Sequence, residues 1–442
     1  MQQILTRFDD YSQNLAVSSS IRVDGKVSNV VGMVIEASLP GGTMGELCGI
    51  HTLAGDLIRA EIVGFRGEKV LLMPLDQTVG ISPGSRVERS PRPLSVDVGP
   101  ALLGRVIDAL GNPIDGKGPI AAEKHQPVYA APPNPLTRSR IKDVLATGIR
   151  SIDGLITVGR GQRIGIFAGS GVGKSVLLGM VARYTEAQVN VIALIGERGR
   201  EVREFIERDL GPEGLKRSVV IVATSDQAAM VRVKGALIAT AIAEYFRDAG
   251  LDVMLLMDSL SRVAMAQREI GLAVGEPPTT KGYTPSVFAL LPRLLERAGT
   301  AQTGSITGLY TVLVEGDDMD EPISDAARAI LDGHIVLARK LAMRGQYPAI
   351  DVTASISRLR NDIVSDAQKA DSQAILEMLA DYADSEDMIN IGAYVGGSNQ
   401  GVDRAIDKID AIKEFLKQDI RDSAPFPETL QKMNLVLNGA DA

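Results

Sequence analysis

The chain has 442 residues, enough for two or three domains with substantial cores, and its 45% hydrophobic and 23% charged content is typical of a soluble globular protein. A formal net charge of -8 argues against non-specific nucleic-acid binding, and the single cysteine, Cys48, excludes an intramolecular disulfide and fits a reducing cytoplasm. We expect neither a signal peptide nor a membrane span, and the three scattered histidines form no metal-ligand pattern.

Residues 1–20 form the first predicted segment, with an amphipathic helix over residues 1–16. Ile4, Phe8, Tyr11 and Leu15 recur at helical spacing and would form one apolar stripe. The stripe could lie on the body of its own chain, or it could dock onto a partner protein. The sequence leaves both alternatives open.

Residues 21–92 are predicted to form a small β-barrel domain. Four β-rich runs, at residues 27–31, 33–36, 59–63 and 69–74, alternate with Gly/Pro turns. Small barrels often bind ligands, and some bind nucleic acid through stacking aromatic side chains. Phe65 is the only Phe, Tyr or Trp in this segment, so a role in oligomer packing is favoured over nucleic-acid binding.

Residues 93–141 are predicted to be a connector. An ordered turn is expected over residues 102–108, a loop over residues 111–113, and an extended stretch over residues 127–135, which hold four prolines. A domain boundary is placed near Lys142.

Residues 142–364 alternate between apolar strands and helices, whereas residues 365–442 are helical and charged. Nearly continuous apolar strands with helical crossovers predict an α/β domain with a mainly parallel sheet, covered on both faces. The helical patterns at residues 227–247 and 285–298 are such crossovers, and residues 374–379, 402–416 and 428–437 predict a helical C-terminal subdomain. The predicted strands are residues 163–168, 190–196, 218–224, 253–258, 305–315 and 334–339.

A glycine-rich turn follows the first of these strands and leads into a helix, the context of a phosphate-binding P-loop. Its glycines allow the backbone to form a cup whose N–H groups face phosphate oxygens. Lys174 adds a positive charge for the β- and γ-phosphates, and the Ser175 hydroxyl can ligate Mg²⁺. Ala168 replaces the first glycine of the strict motif, but it ends the strand, where a small side chain is tolerated. The motif predicts binding of a nucleoside triphosphate.

Two acidic residues end neighbouring candidate strands. Asp258 ends an apolar strand, and beside a P-loop such a carboxylate organises Mg²⁺ and its water. Glu197 follows the strand at residues 190–196 and is a candidate base for the attacking water. Equally, Glu197 could belong to the solvated first turn of a helix, where a negative charge is favourable. The residue pattern alone leaves these two interpretations of Glu197 open.

Several motifs resemble the rotary ATP synthase α/β family. The general family motifs are residues 196–201, 347–351 and 355–358, together with the P-loop. Residues 169–179, 256–262 and 314–319 resemble its type III secretion branch, which includes the flagellar protein export ATPases. Related ATPases drive virulence secretion, but the Val-Gly-Lys-Ser-Val form of the P-loop favours the flagellar group. The resemblance implies ATP hydrolysis with Mg²⁺, coupled to export of flagellar proteins.

The resemblance also implies roles for individual residues. Glu197 would polarise the attacking water, Arg198 would contact the γ-phosphate, and Glu201 would hold a metal-bound water beside Ser175 and Asp258. Arg358 would be an arginine finger that reaches the nucleotide of a neighbouring subunit. Its alternative is a surface ion pair near Asp362.

Two tyrosines complete the implied nucleotide site. Tyr347 would stack on adenine, although it could equally be a core aromatic residue before Pro348, and Tyr394 would cover the other face of the base. The implied nucleotide-binding residues are Gly169, Ser170, Gly171, Val172, Gly173, Lys174, Ser175, Val176, Tyr347 and Tyr394.

One chain carries Lys174, Glu197 and Arg358 together, so identical sites could form around a homomeric ring, and six subunits is the family expectation. The implied partners are a stator or regulator protein at the N-terminal segment, export-gate membrane proteins and chaperone–cargo complexes. The chain would be cytoplasmic and would reach the inner face of the cell membrane through these partners. A Rho-like nucleic-acid motor and a ring subunit that binds nucleotide without hydrolysis are the alternatives; the aromatic-poor barrel disfavours the first, and Lys174 with Glu197 disfavours the second.

Overall fold

The computed structural model describes residues 24–90, 93–314, 316 and 318–439. The chain divides into two compact units: the described residues up to Leu94 with the short stretch Ala273–Gly275, and the remainder of the chain. The helix predicted over residues 1–16 lies outside the described residues. No helix in the described part of the chain is long and apolar enough to cross a membrane.

The first unit contains a closed antiparallel barrel, as predicted. Buried side chains of its strands form one hydrophobic core, in which Ile35, Ile50 and Leu72 are fully buried. Two strands were not expected from the sequence, because β3 is interrupted by Gly49 and β6 has Val87 as its only apolar residue. The strand order is β1-β2-β5-β4-β3-β6. The strands are β1 Gly25–Val31, β2 Val34–Ser38, β3 Leu47–His51, β4 Leu57–Arg66, β5 Lys69–Pro74 and β6 Arg86–Arg89.

The second unit is built on a mostly parallel central sheet. The path through the sheet is β17-β16-β10-β15-β13-β11-β12-β8, and β14 pairs with β15 beside it. Only β14 and β17 run antiparallel to their neighbours. A separate two-stranded ribbon pairs β7 Ser95–Val98 with β9 Lys124–Pro127. The sheet strands are β8 Arg105–Asp108, β10 Arg163–Ala168, β11 Val189–Glu197, β12 Ser218–Thr224, β13 Asp252–Asp258, β14 Gly299–Thr300, β15 Ser305–Leu313, β16 Gly333–Leu337 and β17 Ile350–Ser357.

Helices connect the parallel strands, as the alternating pattern predicted. The strands β11, β12 and β13 are almost wholly buried, and so is the helix Ala229–Asp248, which packs against them. The α-helices of this region are α1 Lys174–Tyr184, α2 Gly199–Glu204, α3 Gly211–Lys216, α4 Ala229–Asp248, α5 Leu260–Val274, α6 Pro285–Leu295, α7 Pro322–Ile330, α8 Arg339–Met343 and α9 Arg360–Ile363. This arrangement brings the carboxyl ends of the parallel strands to one edge of the sheet.

Two strands of the sheet depart from the sequence-based expectations. Residues 105–108 were expected to lie in an ordered turn, but they form β8, which pairs in parallel with β12 at the end of the sheet. β17 was not anticipated as a strand, because exposed and buried residues are mixed along it and it pairs only with β16. Both are edge strands, whose sequences are constrained less by burial than those of central strands.

The C-terminal region is helical, as predicted. It comprises α10 Asp366–Asn390, α11 Gln400–Leu416 and α12 Phe426–Asn438. Side chains of Ser365 and Asn399 cap the first two helices by accepting hydrogen bonds from backbone N–H groups. Phe415 and Met433 are buried and belong to the same hydrophobic core as the central sheet. The helices are therefore packed onto the domain that carries the P-loop.

Candidate functional site

The P-loop lies between β10 and α1, at the carboxyl end of the parallel sheet. Ala168 is the last residue of β10 and is buried, which confirms that a small side chain fits there. Gly171 and Gly173 have φ angles of 79° and 94°, in the left-handed region that favours glycine. No described residue accepts a hydrogen bond from the backbone N–H groups of residues 169–173. These groups are thus available to an anion at the N-terminus of α1.

Lys174 is held between two carboxylates that come from neighbouring strands. Its Nζ lies 2.5 Å from Asp258 Oδ1 and 3.4 Å from Glu197 Oε1. Glu197 ends β11 and Asp258 ends β13, and these strands are adjacent in the sheet. The topology therefore brings together three residues that are separated by up to 84 positions in the chain.

Electrostatics adjust the protonation of this cluster. Burial opposes the charge on Lys174, but the carboxylates of Asp258 and Glu197 raise its pKa, so it stays positive. Burial raises the pKa of the Glu197 carboxyl to about 7, and a hydrogen bond with Glu197 lowers the pKa of Glu201. A carboxylate with a pKa near neutrality is suited to accepting a proton at physiological pH.

A cavity of about 790 Å³ opens beside the cluster. The P-loop, Ser175, Glu197, Arg198 and Glu201 line it. Both contacts to Asp258, from Lys174 and from the Thr311 hydroxyl at 2.7 Å, fall on Oδ1, and no described residue donates to Oδ2. A hydroxyl and carboxylate oxygens are ligands that Mg²⁺ prefers. No group of three or more acidic, His or Cys side chains among the described residues could hold a metal by itself.

Two arginines reach this cavity from different elements. Arg198 is exposed, lines the cavity and forms an ion pair with Glu201 at 3.2 Å. Arg262, on α5, also lines the cavity, and its buried Nε has no hydrogen-bond partner among the described residues. Sequence reasoning gave Arg262 no role. The Arg262 side chain packs against Gly196, where a Cβ atom would lie only 2.8 Å from it, and this contact becomes visible only in the folded chain.

The two tyrosines have different locations. Tyr347 is half exposed, and its ring lies beside the P-loop, 3.5 Å from a methyl group built on Gly173. Tyr394 does not line the cavity; its hydroxyl lies 3.0 Å from both Asn399 O and Asp403 Oδ1 at the start of α11. That Tyr394 covers the second face of the base therefore stays a prediction. The chain segment that approaches Tyr347 is the one after α11, where the Gln418 N–H donates to the Tyr347 carbonyl at 2.9 Å.

Arg358 lies at the opposite edge of the sheet from the P-loop. It follows β17, which is antiparallel, so the last residue of β17 pairs with Gly333, the first residue of β16, whereas Ala168 pairs with Leu337 at the end of β16. The backbone N–H of Arg358 donates to Asp332 O, and its guanidinium donates to Arg328 O at 3.0 Å. Arg358 does not line the cavity of its own chain.

Three family models match most of the chain. The beta-barrel domain of the ATP synthase alpha/beta family matches residues 27–91, and its nucleotide-binding domain matches residues 148–357. A C-terminal domain described for the type III secretion ATPase EscN matches residues 364–435.

Relatives match over nearly the full length. A flagellum-specific ATP synthase of Bacillus subtilis is 55% identical, covering 94% of this chain and 95% of the relative. A type 3 secretion system ATPase of Xanthomonas euvesicatoria is 51% identical, covering 97% of each chain. The solved structure of the assembled ATPase EscN of enteropathogenic E. coli is 42% identical with a TM-score of 0.89, covering 93% of this chain and all of that one.

Proposed function

This chain belongs to the ATP synthase alpha/beta family, among its flagellum-specific and type III secretion ATPases, and from that premise we propose that it hydrolyses Mg-ATP to drive export of flagellar proteins through a type III secretion apparatus. The observation that carries the proposal is the junction of Lys174, Glu197 and Asp258 beside the P-loop. It combines a phosphate counter-charge, a base with a pKa near 7 and a buried carboxylate beside one cavity.

Nucleotide binding exchanges the partners of Lys174. The P-loop N–H groups and the Lys174 ammonium take the phosphates, and the two carboxylates that held Lys174 become available for catalysis. Ser175, Asp258 and Glu201 would hold Mg²⁺ directly or through water, and a bound Mg²⁺ would supply positive charge for the β- and γ-phosphates. Glu197 then accepts a proton from the attacking water.

Arginines surround the region where charge develops on the γ-phosphoryl group. Arg198 and Arg262 line the cavity and contact the γ-phosphate from the chain's own side. Tyr347, beside Gly173, stacks on the adenine base. The positions of these side chains around the P-loop support the proposed roles.

The remaining arginine comes from a second copy of the chain. Arg358 lies at the far edge of its own sheet, which supports a role at the site of a neighbouring subunit. The similar EscN structure is that of an assembled ATPase, and this likeness supports self-assembly of this chain. We propose that identical subunits form a ring of six with shared sites.

The partners and location follow from the same proposal. A second EscN structure, similar with a TM-score of 0.87, is described as a complex with its central stalk EscO. We propose a stalk partner for this chain, with a stator or regulator protein, export-gate membrane proteins and chaperone–cargo complexes, and a cytoplasmic position at the inner face of the cell membrane.

The second candidate function is ATPase of a virulence secretion system, because a type 3 secretion system ATPase is 51% identical. Two deletion strains separate the candidates, one lacking its flagellar export ATPase and one lacking its virulence secretion ATPase. We expect the wild-type chain to restore motility in the first strain, and Lys174→Ala, expressed at the same level, to fail. Rescue of virulence secretion without rescue of motility would reverse the order of the two candidates.

A further inference from the structure

Thr311 is a buried hydroxyl residue in the strand that separates the P-loop strand from the Asp258 strand. β15 pairs with β10 on one side and with β13 on the other, and Thr311 is opposite Ile166 in the former. Its side chain is fully buried. A buried hydroxyl without a hydrogen bond would be costly, so its partner shows what the residue does there.

The partner of Thr311 is the carboxylate of Asp258. Thr311 Oγ1 lies 2.7 Å from Asp258 Oδ1 and 3.4 Å from the Met257 carbonyl oxygen. A hydroxyl has one hydrogen, and the shorter distance and the negative charge direct it to the carboxylate. Lys174 contacts the same Oδ1 atom, and no described residue donates to Oδ2.

The two contacts on Oδ1 differ in what happens when nucleotide binds. Lys174 lines the cavity and is the residue whose charge the phosphates attract, whereas Thr311 is fixed in a central strand of the sheet. Thr311 is therefore the contact that remains when Lys174 turns to the phosphates. It holds Oδ1 in place, and Oδ2 is left without a donor among the described residues.

We infer that Thr311 is a positioning residue that orients Asp258 and thereby gives this chain its preference for metal-bound over free nucleotide. The inference rests on the proposed Mg-ATP site. A second oxygen free of protein donors is what a carboxylate needs to contact a metal ion or its water. Thr311 acts through Asp258 and does not contact the nucleotide.

Three substitutions test this role. Thr311→Val removes the hydroxyl and keeps the shape, Thr311→Ala removes it with a smaller side chain, and Thr311→Ser retains it. Thr307→Val is the matched control, because Thr307 is also buried on β15 but its hydroxyl accepts from the Gly161 N–H, away from the cavity. Thermal unfolding identifies the variants that fold.

The measurement is the affinity for a fluorescent ATP analogue, once with excess Mg²⁺ and once with EDTA. Because a hydrogen bond to a charged group contributes strongly, we expect Thr311→Val or Thr311→Ala to reduce the ratio of the two affinities about tenfold. Thr311→Ser and Thr307→Val should keep the wild-type ratio within about twofold, which is below the effect of one such bond. If Thr311→Val unfolds, Thr311→Ala gives the result.

The outcomes separate the inference from the proposed function. A wild-type ratio in a folded variant without the Thr311 hydroxyl would overturn the positioning role and leave the Mg-ATP site intact. A wild-type chain that binds the analogue equally with Mg²⁺ and with EDTA, or not at all, would overturn both. The role is supported if the ratio of the affinities with Mg²⁺ and with EDTA falls in the variants without the hydroxyl but stays at the wild-type value in Thr311→Ser. A purely structural defect would weaken binding both with Mg²⁺ and with EDTA.

Discussion

In the central sheet, the edge formed by the carboxyl ends of the parallel strands (the carboxyl edge) and the opposite edge differ in how many site residues each brings together. At the carboxyl edge, carboxylate oxygens of Glu197 and Asp258 lie within 3.4 Å of Lys174 Nζ in the same chain. At the opposite edge, Arg358 donates hydrogen bonds only to the backbone carbonyls of Asp332 and Arg328 in the described part of the chain. Along β16 the two edges are separated by the four residue steps from Gly333 to Leu337, about 13 Å at roughly 3.3 Å per residue.

This difference supports the proposed division of labour between chains, in which one chain would bind and position its own nucleotide. Arg358 lies away from that site in its own chain. Substitutions at the carboxyl edge test whether one chain binds nucleotide by itself. Substitutions at the opposite edge test whether Arg358 acts at the nucleotide site of a neighbouring subunit.

Lys174→Ala should have the largest effect and abolish detectable nucleotide binding. It removes the phosphate counter-charge and leaves Glu197 and Asp258 without the cation that lies between them, so their charges repel the phosphates. Titration with a fluorescent ATP analogue measures the loss. Lys340→Ala, which removes a surface ion pair with Glu386, is the control and should bind normally. Near-normal affinity in Lys174→Ala would place the nucleotide elsewhere.

Arg358→Ala should leave nucleotide affinity unchanged and reduce turnover by about 10³-fold, the lower end of the range for an arginine finger. The site that binds the nucleotide is untouched because Arg358 lies at the other edge of the sheet. Parallel binding and steady-state assays separate the two quantities. Arg344→Ala, at a surface ion pair with Glu386, should retain activity. A loss of affinity without loss of maximal turnover would contradict this assignment.

Glu197→Gln should keep nucleotide binding and reduce turnover by at least about 10²-fold, because the amide preserves the shape but cannot accept a proton from water. Single-turnover hydrolysis measures the chemical step directly. Glu204→Gln, on the exposed face of α2, is the matched control. If Glu197→Gln turns over within about threefold of wild type, far less than the loss of a general base, then Glu197 has a structural role.

Gln418→Ala should have the smallest effect, a destabilisation of about 1–3 kcal/mol, because it leaves buried groups unsatisfied. The Gln418 side chain accepts from the Arg150 N–H and donates to the Gly148 and Asp422 carbonyls. Chemical denaturation measures the change against Gln373→Ala, whose exposed side chain bonds only to Glu377 in the described part of the chain. Equal free energies of unfolding for Gln418→Ala and Gln373→Ala would show that the hydrogen bonds of the Gln418 side chain do not stabilise the fold.

The sequence predicted the carboxyl edge well because its chemistry is local. A P-loop, and carboxylates that end buried strands, are visible as short motifs, and a parallel sheet necessarily brings the strand ends together. The central strands were also clear, because burial on both faces makes their sequences continuously apolar.

The features that were missed depend on tertiary contacts. β8 and β17 are edge strands with mixed patterns, so nothing local distinguished them from turns. Thr311 is one hydroxyl within an apolar strand, and the buried Nε of Arg262 becomes apparent only when α5 packs beside Gly196.

The most direct test of the division between the two edges mixes two inactive proteins. Lys174→Ala subunits cannot bind nucleotide but still carry Arg358, and Arg358→Ala subunits bind nucleotide but lack the arginine. If Arg358 acts on a neighbouring subunit, mixed rings contain interfaces with one intact pocket and one intact arginine. ATPase activity should then recover in part and rise with protein concentration, because assembly is bimolecular or of higher order. A mixture that remains as inactive as its components, although differently tagged subunits co-purify in one assembly, would contradict the shared site.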